Sequence, residues 1–261
     1  MRPPVLCYHR IGGAPELGVT RVARSVFERQ MRSLAEAGWR TLTLSEFTDP
    51  RTTPHAPRTF LLTFDDGYAS LGEHAYPVLD RLGFTATTFL VTDFIGRENR
   101  WDMRYTWRPL QHLDWGEIER WRARGFDFAS HGARHRRLTW VDDITAVDEL
   151  GRARETLMGR LGEEAGCAIA YPFGAVDARV ERLAQGAGYA FGFGGVRGDH
   201  GSPWHLPRVP VYVWDIGATP FGLRTDGMGK VGRFVAHVAN RCAVGTSMMQ
   251  AVRGRIVRQP E

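Results

Sequence analysis

The chain has 261 residues, the length of one large domain or two small ones. Its residues are 43% hydrophobic and 24% charged, which excludes collagen, low-complexity disorder and a disulfide scaffold and indicates a globular protein with a sizeable core. The whole net charge of +5 lies after residue 216, so we expect the neutral body of the protein not to bind nucleic acid.

Short apolar runs alternate with segments of helical periodicity. A first strand is predicted over Val5–Tyr8, followed by a helix that opens with a capping box at residues 25–28 and ends at Gly38. Further strands are predicted at 40–44, 59–64, 85–91, 126–129, 168–171, 189–193 and 209–213. Helices are predicted at 70–82, 114–124, 142–161 and 177–187. This succession predicts an α/β fold, a parallel (β/α) barrel of about seven strands.

The charge distribution suggests two parts, a barrel over residues 1–215 and a basic extension over 216–261. Apolar residues recur at helical spacing between Val231 and Val238 beside Arg233 and Arg241, which predicts a basic amphipathic helical tail. Two interpretations of its apolar face remain open. It packs on the barrel, or it makes peripheral contact with an anionic membrane.

The cysteines and the first residues bear on the compartment. Cys7, Cys167 and Cys242 are odd in number and widely spaced, as in proteins with reduced thiols. The first residues lack the pattern of a secretory signal, and no run of about 18 apolar residues occurs. We therefore expect a cytoplasmic location, with the inner membrane surface as a site of peripheral contact.

Polar residues follow several of the predicted strands. His9 follows the first strand, Asp65 and Asp66 follow the strand over 59–64, and His131 and His135 follow the strand over 126–129. In parallel α/β folds the reactive groups gather at these carboxyl ends. Two imidazoles four residues apart can point the same way over one helical turn, and with one carboxylate they form a three-ligand metal site with an open position.

Three short motifs resemble the first three motifs of the polysaccharide deacetylases of carbohydrate esterase family 4. They are TFDDG at 63–67, SHGARH at 130–135 and AYPFG at 170–174. CYHRI at 7–11 and the segment 27–38 are similar to the branch that includes the biofilm poly-N-acetylglucosamine deacetylases. The resemblance implies the distorted (β/α) barrel of that family.

The resemblance also implies a role for each motif residue. Asp66, His131 and His135 would hold a divalent ion, Zn²⁺ in the first place, with Co²⁺, Ni²⁺ or Fe²⁺ as alternatives. Asp65 would be the general base, and the backbone N–H of Phe173 would be the oxyanion donor. Because neighbouring residues on a strand point to opposite sides, the turn before Gly67 must be irregular for both aspartates to face the metal.

The sequence departs from the family pattern at two places. The usual motif has an arginine at the position of Ala170, where it orients the base, and we expect Arg208 to supply that cation. The usual Leu-x-His near the C-terminus is not evident. In the resembling branch an N-terminal histidine is the general acid, and His9 matches it. Weaker candidates for the acid are His200, His205 and His237.

These residues predict a hydrolase of carbohydrate metabolism that removes N-acetyl groups, cleaving an amide C–N bond of an N-acetylated sugar such as N-acetylglucosamine. The glycan would be a polysaccharide, an oligosaccharide or a lipid-linked sugar. Trp101, Trp107 and Trp214 lie in predicted loops, which favours a carbohydrate partner. Three alternatives stay open: a non-catalytic glycan-binding module, an O-acetyl esterase on the same scaffold, and an iron oxygenase with two histidines and one carboxylate.

Overall fold

A computed structural model of the protein describes residues 2–13, 18–52, 55–99, 109–196 and 202–223. The predicted helical tail lies outside these residues, as do several side chains that the sequence singled out: Trp101, Trp107, His200, His237 and Cys242. The proposed boundary at residue 215 therefore stays a prediction.

Parallel strands form one sheet and a separate two-stranded ladder. The strands are β1 (Val5–Tyr8), β2 (Arg10–Ile11), β3 (Arg21–Val22), β4 (Arg40–Leu42), β5 (Thr59–Phe64), β6 (Thr87–Leu90), β7 (Asp127–Ser130), β8 (Ala168–Ala170), β9 (Phe191–Phe193) and β10 (Val209–Pro210). The main path runs β10-β1-β5-β6-β7-β8-β9, and β2 pairs with β3. This curled path of seven parallel strands confirms the predicted distorted barrel.

The sheet departs from a regular barrel at β5 and at its seam. β1 pairs along one edge of β5, while β4 pairs with its first half and β6 with its second half. At the seam, Leu206 bridges to Phe193 of β9, and β10 pairs with β1. The stretch from Leu206 to β10 therefore contacts both ends of the path, and Arg208 lies within it.

Helices cover the outside of the sheet. They are α1 (Arg24–Glu36), α2 (Leu44–Thr48), α3 (Ser70–His74), α4 (Tyr76–Arg81), α5 (Trp115–Arg122), α6 (Asp143–Leu161) and α7 (Ala178–Gly186). Asp114, Asp142 and Asp177 cap α5, α6 and α7, each accepting a hydrogen bond from a backbone N–H of the first turn. Within the described ranges, no helix has the length and hydropathy needed to cross a membrane.

Two helix predictions were wrong in detail. The capping box predicted at residues 25–28 is absent, because α1 begins at Arg24 after Ala23, whose side chain makes no capping hydrogen bond. Ser25 consequently lies inside the first turn. The helix predicted at 70–82 is two helices, α3 and α4, because Pro77 lacks the N–H that a continuous helix would use.

Alternating side chains of β5 enter two different parts of the core. Leu61 packs in one cluster with Phe89 and Phe193, whereas Leu62 and Phe64 pack in another with residues of α1. All six residues of β5 are buried. Asp65 and Asp66, which follow β5, therefore lie at the carboxyl edge of the sheet, between neighbouring strands.

Candidate active site

The carboxyl ends of β1, β5 and β7 meet and bring the predicted site residues together. Asp66 Oδ1 lies 3.5 Å from His131 Nε2 and 3.3 Å from His135 Nε2. One atom of each of these three residues lies within 4.8 Å of the others, a spacing that a single metal ion can bridge. All three residues are buried.

The two histidines do not lie on a helix, so the predicted helical turn was wrong. They lie on a loop after β7, in which Gly132 has φ +79° and His135 has φ +58°. Left-handed backbone is costly for a histidine and needs support from the surrounding structure. This backbone turns both Nε2 atoms toward Asp66. The two imidazoles therefore converge without a helical turn between them.

Strained backbone is concentrated at this site. Among the described residues other than glycine, positive φ occurs at Arg58, Asp66, His135 and Phe173, and three of these four belong to the predicted site. Asp66, with φ +70°, provides the irregular turn that the adjacent aspartates require. The strain therefore has a local consequence, since it allows both carboxylates to face the same cluster.

The donor set fits a divalent cation. The backbone carbonyl of Ala170 lies 2.7 Å from His131 Nδ1, and because a carbonyl only accepts, Nδ1 carries the proton. The lone pair of Nε2 therefore faces the Asp66 carboxylate. Burial lowers the pKa of His131. Burial also lowers the pKa of His135, and the nearby His131 adds to that effect. Two imidazoles and a carboxylate that converge in this way match the ligands of Zn²⁺ and related ions.

Asp65 forms a buried ion pair with Arg208. The guanidinium donates from Nη1 to Oδ1 at 2.6 Å and from Nη2 to Oδ2 at 2.8 Å. Burial alone would raise the pKa of Asp65, but Arg208 and His131 outweigh it and hold the pKa below its ordinary value. The thiol of Cys7 also donates to Oδ2, at 3.4 Å. Asp65 is thus an ionised, oriented carboxylate beside the three-ligand cluster of Asp66, His131 and His135.

We expect Arg208→Met to lower the free energy of unfolding by about 3–5 kcal/mol, because Asp65 would keep a buried charge without a partner. Urea denaturation would measure this loss. Asp65→Asn in the same chain should restore part of it. The exposed bidentate pair between Arg51 and Asp49 provides the control, and Arg51→Met should have a far smaller effect. Equal losses for the two arginines would contradict an ionised Asp65.

His9 lies at the edge of the site. Its Nε2 is 3.9 Å from Asp65 Oδ2, and its side chain is 22% exposed, compared with 2% for His131 and 9% for His135. Burial lowers the pKa of His9 to about 4, with Arg208 and His131 adding to the effect and Asp65 opposing it. Of these three histidines it is therefore the one most accessible from outside.

Phe173 lies on a short 3₁₀ turn after β8, with φ +63° and ψ +10°. Its ring packs on the edge of the His135 ring, with centroids 4.7 Å apart. The turn consequently places Phe173 in contact with a residue of the three-ligand cluster. The weaker acid candidate His205 pairs with Glu181 at 3.3 Å, and Trp214 packs on Tyr212.

Two residues next to the site were missed by the sequence analysis. His112 Nδ1 lies 2.9 Å from the carbonyl oxygen of Asp66, to which it can donate, and its ring stacks on Tyr68. Nothing in its segment signalled this contact. Glu149 is a fully buried carboxylate on α6 that binds Arg134. The sequence could have indicated this residue, because Glu149 is a charged residue on the otherwise apolar face of α6.

Comparisons with known proteins identify the family of this chain. The family model for polysaccharide deacetylase matches residues 52–192. YxkH of Bacillus subtilis, named as a polysaccharide deacetylase, is 28% identical over 191 residues, covering 72% of this chain and 63% of that protein. The poly-beta-1,6-N-acetyl-D-glucosamine N-deacetylase of Staphylococcus aureus is 25% identical over 182 residues, covering 66% of this chain and 60% of that protein. The chain thus spans less than two thirds of the length of these curated relatives.

A solved structure shows the same fold. The Streptococcus pyogenes deacetylase PplD, in complex with acetate, superposes with a TM-score of 0.71 at 21% identity, covering 82% of this chain and 94% of that one. The matched range of residues 52–192 spans the aspartate pair after β5, both histidines after β7 and the turn after β8. The chain belongs to the polysaccharide deacetylase family.

Proposed function

We propose that the protein is a metal-dependent deacetylase that hydrolyses the N-acetyl group of an N-acetylated sugar in a glycan. One observation carries the proposal. A three-ligand cluster of Asp66, His131 and His135 lies beside a second carboxylate, Asp65, which Arg208 keeps ionised. A site that only bound glycans would not need this second, buried carboxylate. The Staphylococcus aureus relative, named for poly-beta-1,6-N-acetyl-D-glucosamine, supports an N-acetylglucosamine polymer as substrate.

Asp66, His131 and His135 would hold the ion, with Zn²⁺ as the first choice and Co²⁺, Ni²⁺ or Fe²⁺ as alternatives. A divalent ion in such a site acidifies a water molecule and polarises the acyl oxygen. The hydrogen bond from His131 Nδ1 to the Ala170 carbonyl keeps Nε2 available as a ligand.

The remaining residues move protons and stabilise charge. Asp65 accepts the proton of the attacking water, and Arg208 holds its carboxylate in place. The backbone N–H of Phe173 donates to the oxygen that becomes negative as the acyl carbon turns tetrahedral. His9 protonates the leaving amine. Its Nε2 lies 3.9 Å from Asp65 Oδ2, so the proton that Asp65 took from water would pass to His9 by way of one water molecule. The C–N bond then breaks and acetate leaves.

Mass spectrometry of N-acetylated sugars after incubation with metal-loaded protein tests the proposal. We expect loss of an acetyl group from an N-acetylglucosamine oligomer, with matching release of acetate. The His135→Ala variant, treated in the same way, is the control for contaminating hydrolase. Release of acetate from O-acetylated sugars alone would favour the esterase alternative, and glycan binding without release of acetate would favour the binding module. The cytoplasmic location and membrane contact stay predictions.

We expect His9→Ala to lower turnover of an N-acetyl substrate far more than turnover of an activated phenyl acetate. An amine must be protonated before it leaves, whereas a phenolate leaves readily without a proton. Metal content should stay unchanged, because His9 lies outside the three-ligand cluster. Steady-state assays with the two substrates measure the difference. Equal losses with both would show that His9 has a structural role only.

A further inference from the structure

A buried carboxylate lies behind the loop that carries the two histidines. Glu149 is 0% exposed and lies on the face of α6 that also buries Ala146, Leu150 and Ala153. Burying a charge is costly unless it is paired and hydrogen-bonded. An apolar residue at position 149 would pack α6 against the sheet equally well. Packing alone therefore does not explain why a carboxylate is buried here.

Both oxygens of Glu149 bind Arg134 in the loop, and Oε1 also lies 3.5 Å from the Nε of Arg136, the residue after His135. The backbone N–H of Arg134 donates to Oε2 at 2.8 Å, and its side-chain Nε donates to Oε1 at 2.5 Å. Arg134 directly precedes His135. A hydrogen bond to the backbone N–H restrains the path of the main chain itself, which a side-chain ion pair alone would not do.

This restraint acts where the loop is strained. His135 has φ +58°, a conformation that persists in a histidine only when its surroundings hold it. The other half of the loop has its own supports, because His131 donates to the Ala170 carbonyl and Tyr189 donates to Ser130. Glu149 is the corresponding support for the half that ends in His135.

We infer that Glu149, acting through Arg134, is a positioning residue that holds His135 in the geometry of a metal ligand. The inference rests on the proposed metal-dependent function. The Asp93 N–H still binds the carbonyl of Ala133. Without the bonds from Glu149, the residues after Ala133 can relax toward ordinary backbone angles, which would move the His135 Nε2 away from Asp66. The expected consequence is weaker metal binding in a protein that still folds.

The neighbouring Asp148 provides a matched control. It pairs with the Nη2 of the same Arg134, but from the exposed side, where its side chain is 42% exposed. Among the described residues, Asp148 makes no hydrogen bond to the backbone of the loop, and only its bond to the Arg134 side chain is present there. Changes at Asp148 and Glu149 therefore remove one carboxylate each from Arg134, and only the change at Glu149 also removes the bond to the main chain and the ion pair with Arg136.

The experiment measures Zn²⁺ affinity by competition with a chromophoric chelator, using metal-free full-length protein. We expect Glu149→Leu to weaken binding by roughly 10- to 100-fold, the range found for residues that orient metal ligands. Glu149→Gln keeps one acceptor and should fall in between. Arg134→Met keeps the backbone N–H and should lose less than Glu149→Leu. Asp148→Asn should bind Zn²⁺ like the unchanged protein.

Thermal unfolding of the metal-free variants separates positioning from stability. A merely structural role would lower the unfolding midpoint of Glu149→Gln and leave its Zn²⁺ affinity unchanged, and that result would overturn the inference. An equal loss of affinity in Asp148→Asn would also overturn it. If Glu149→Leu does not fold, the comparison of Glu149→Gln with Asp148→Asn decides. Failure of the unchanged protein to bind Zn²⁺ or another divalent ion would instead refute the proposed function.

Discussion

His135→Ala is expected to abolish stoichiometric binding of a divalent ion by a protein that remains folded. The three-ligand cluster has only one carboxylate and two imidazoles, so removal of either imidazole leaves two ligands. Burial lowers the pKa of His135, and its Nε2 is 3.3 Å from Asp66 Oδ1. The same loss is expected for His131→Ala.

Elemental analysis of purified protein after dialysis measures this loss, and circular dichroism checks the fold. His205→Ala is a matched control, because His205 also pairs with a carboxylate, that of Glu181, outside the cluster. Its metal content should equal that of the unchanged protein. Full metal content in either His131→Ala or His135→Ala would remove that histidine from the ligand set.

Asp65→Asn should retain the metal and lose turnover by roughly 100- to 10,000-fold, the usual contribution of a general base. Asparagine has nearly the same shape as aspartate, but its amide cannot take the proton from water. The metal should stay because Asp66, His131 and His135 are unchanged. The change also leaves Arg208 without its carboxylate, so some loss of stability is expected alongside the loss of turnover.

The kinetic assay uses the N-acetyl substrate at matched metal content and below the unfolding temperature of the variant. Asp127→Asn is the control for neutralising a half-buried aspartate, because Asp127 binds the backbone N–H of Leu44 at 2.6 Å, away from the cluster. Its turnover should be unchanged. Turnover by Asp65→Asn equal to that of Asp127→Asn would exclude Asp65 as the base.

The locally encoded elements were predictable from the sequence. β5 is a continuous run of buried residues, and its bounds agree with the prediction because such a run reflects burial on both faces. The starts of α5, α6 and α7 follow aspartates, whose side chains cap the first turn through contacts only three residues away. The aspartate pair and the two histidines were found because reactive groups gather at the carboxyl ends of parallel strands.

The sequence by itself therefore determined the fold class and which residue types gather at one edge of the sheet. Only the tertiary structure decided how they are held, because the contacts join distant parts of the chain. Arg208 pairs with Asp65 across 143 residues, and His112 binds the backbone of Asp66 across 46. The loop of His131 and His135 is not helical, and Glu149 and the Ala170 carbonyl bind it from outside. Local periodicity carries no information about such partners, and tertiary contacts outweigh local backbone preference at this strained site.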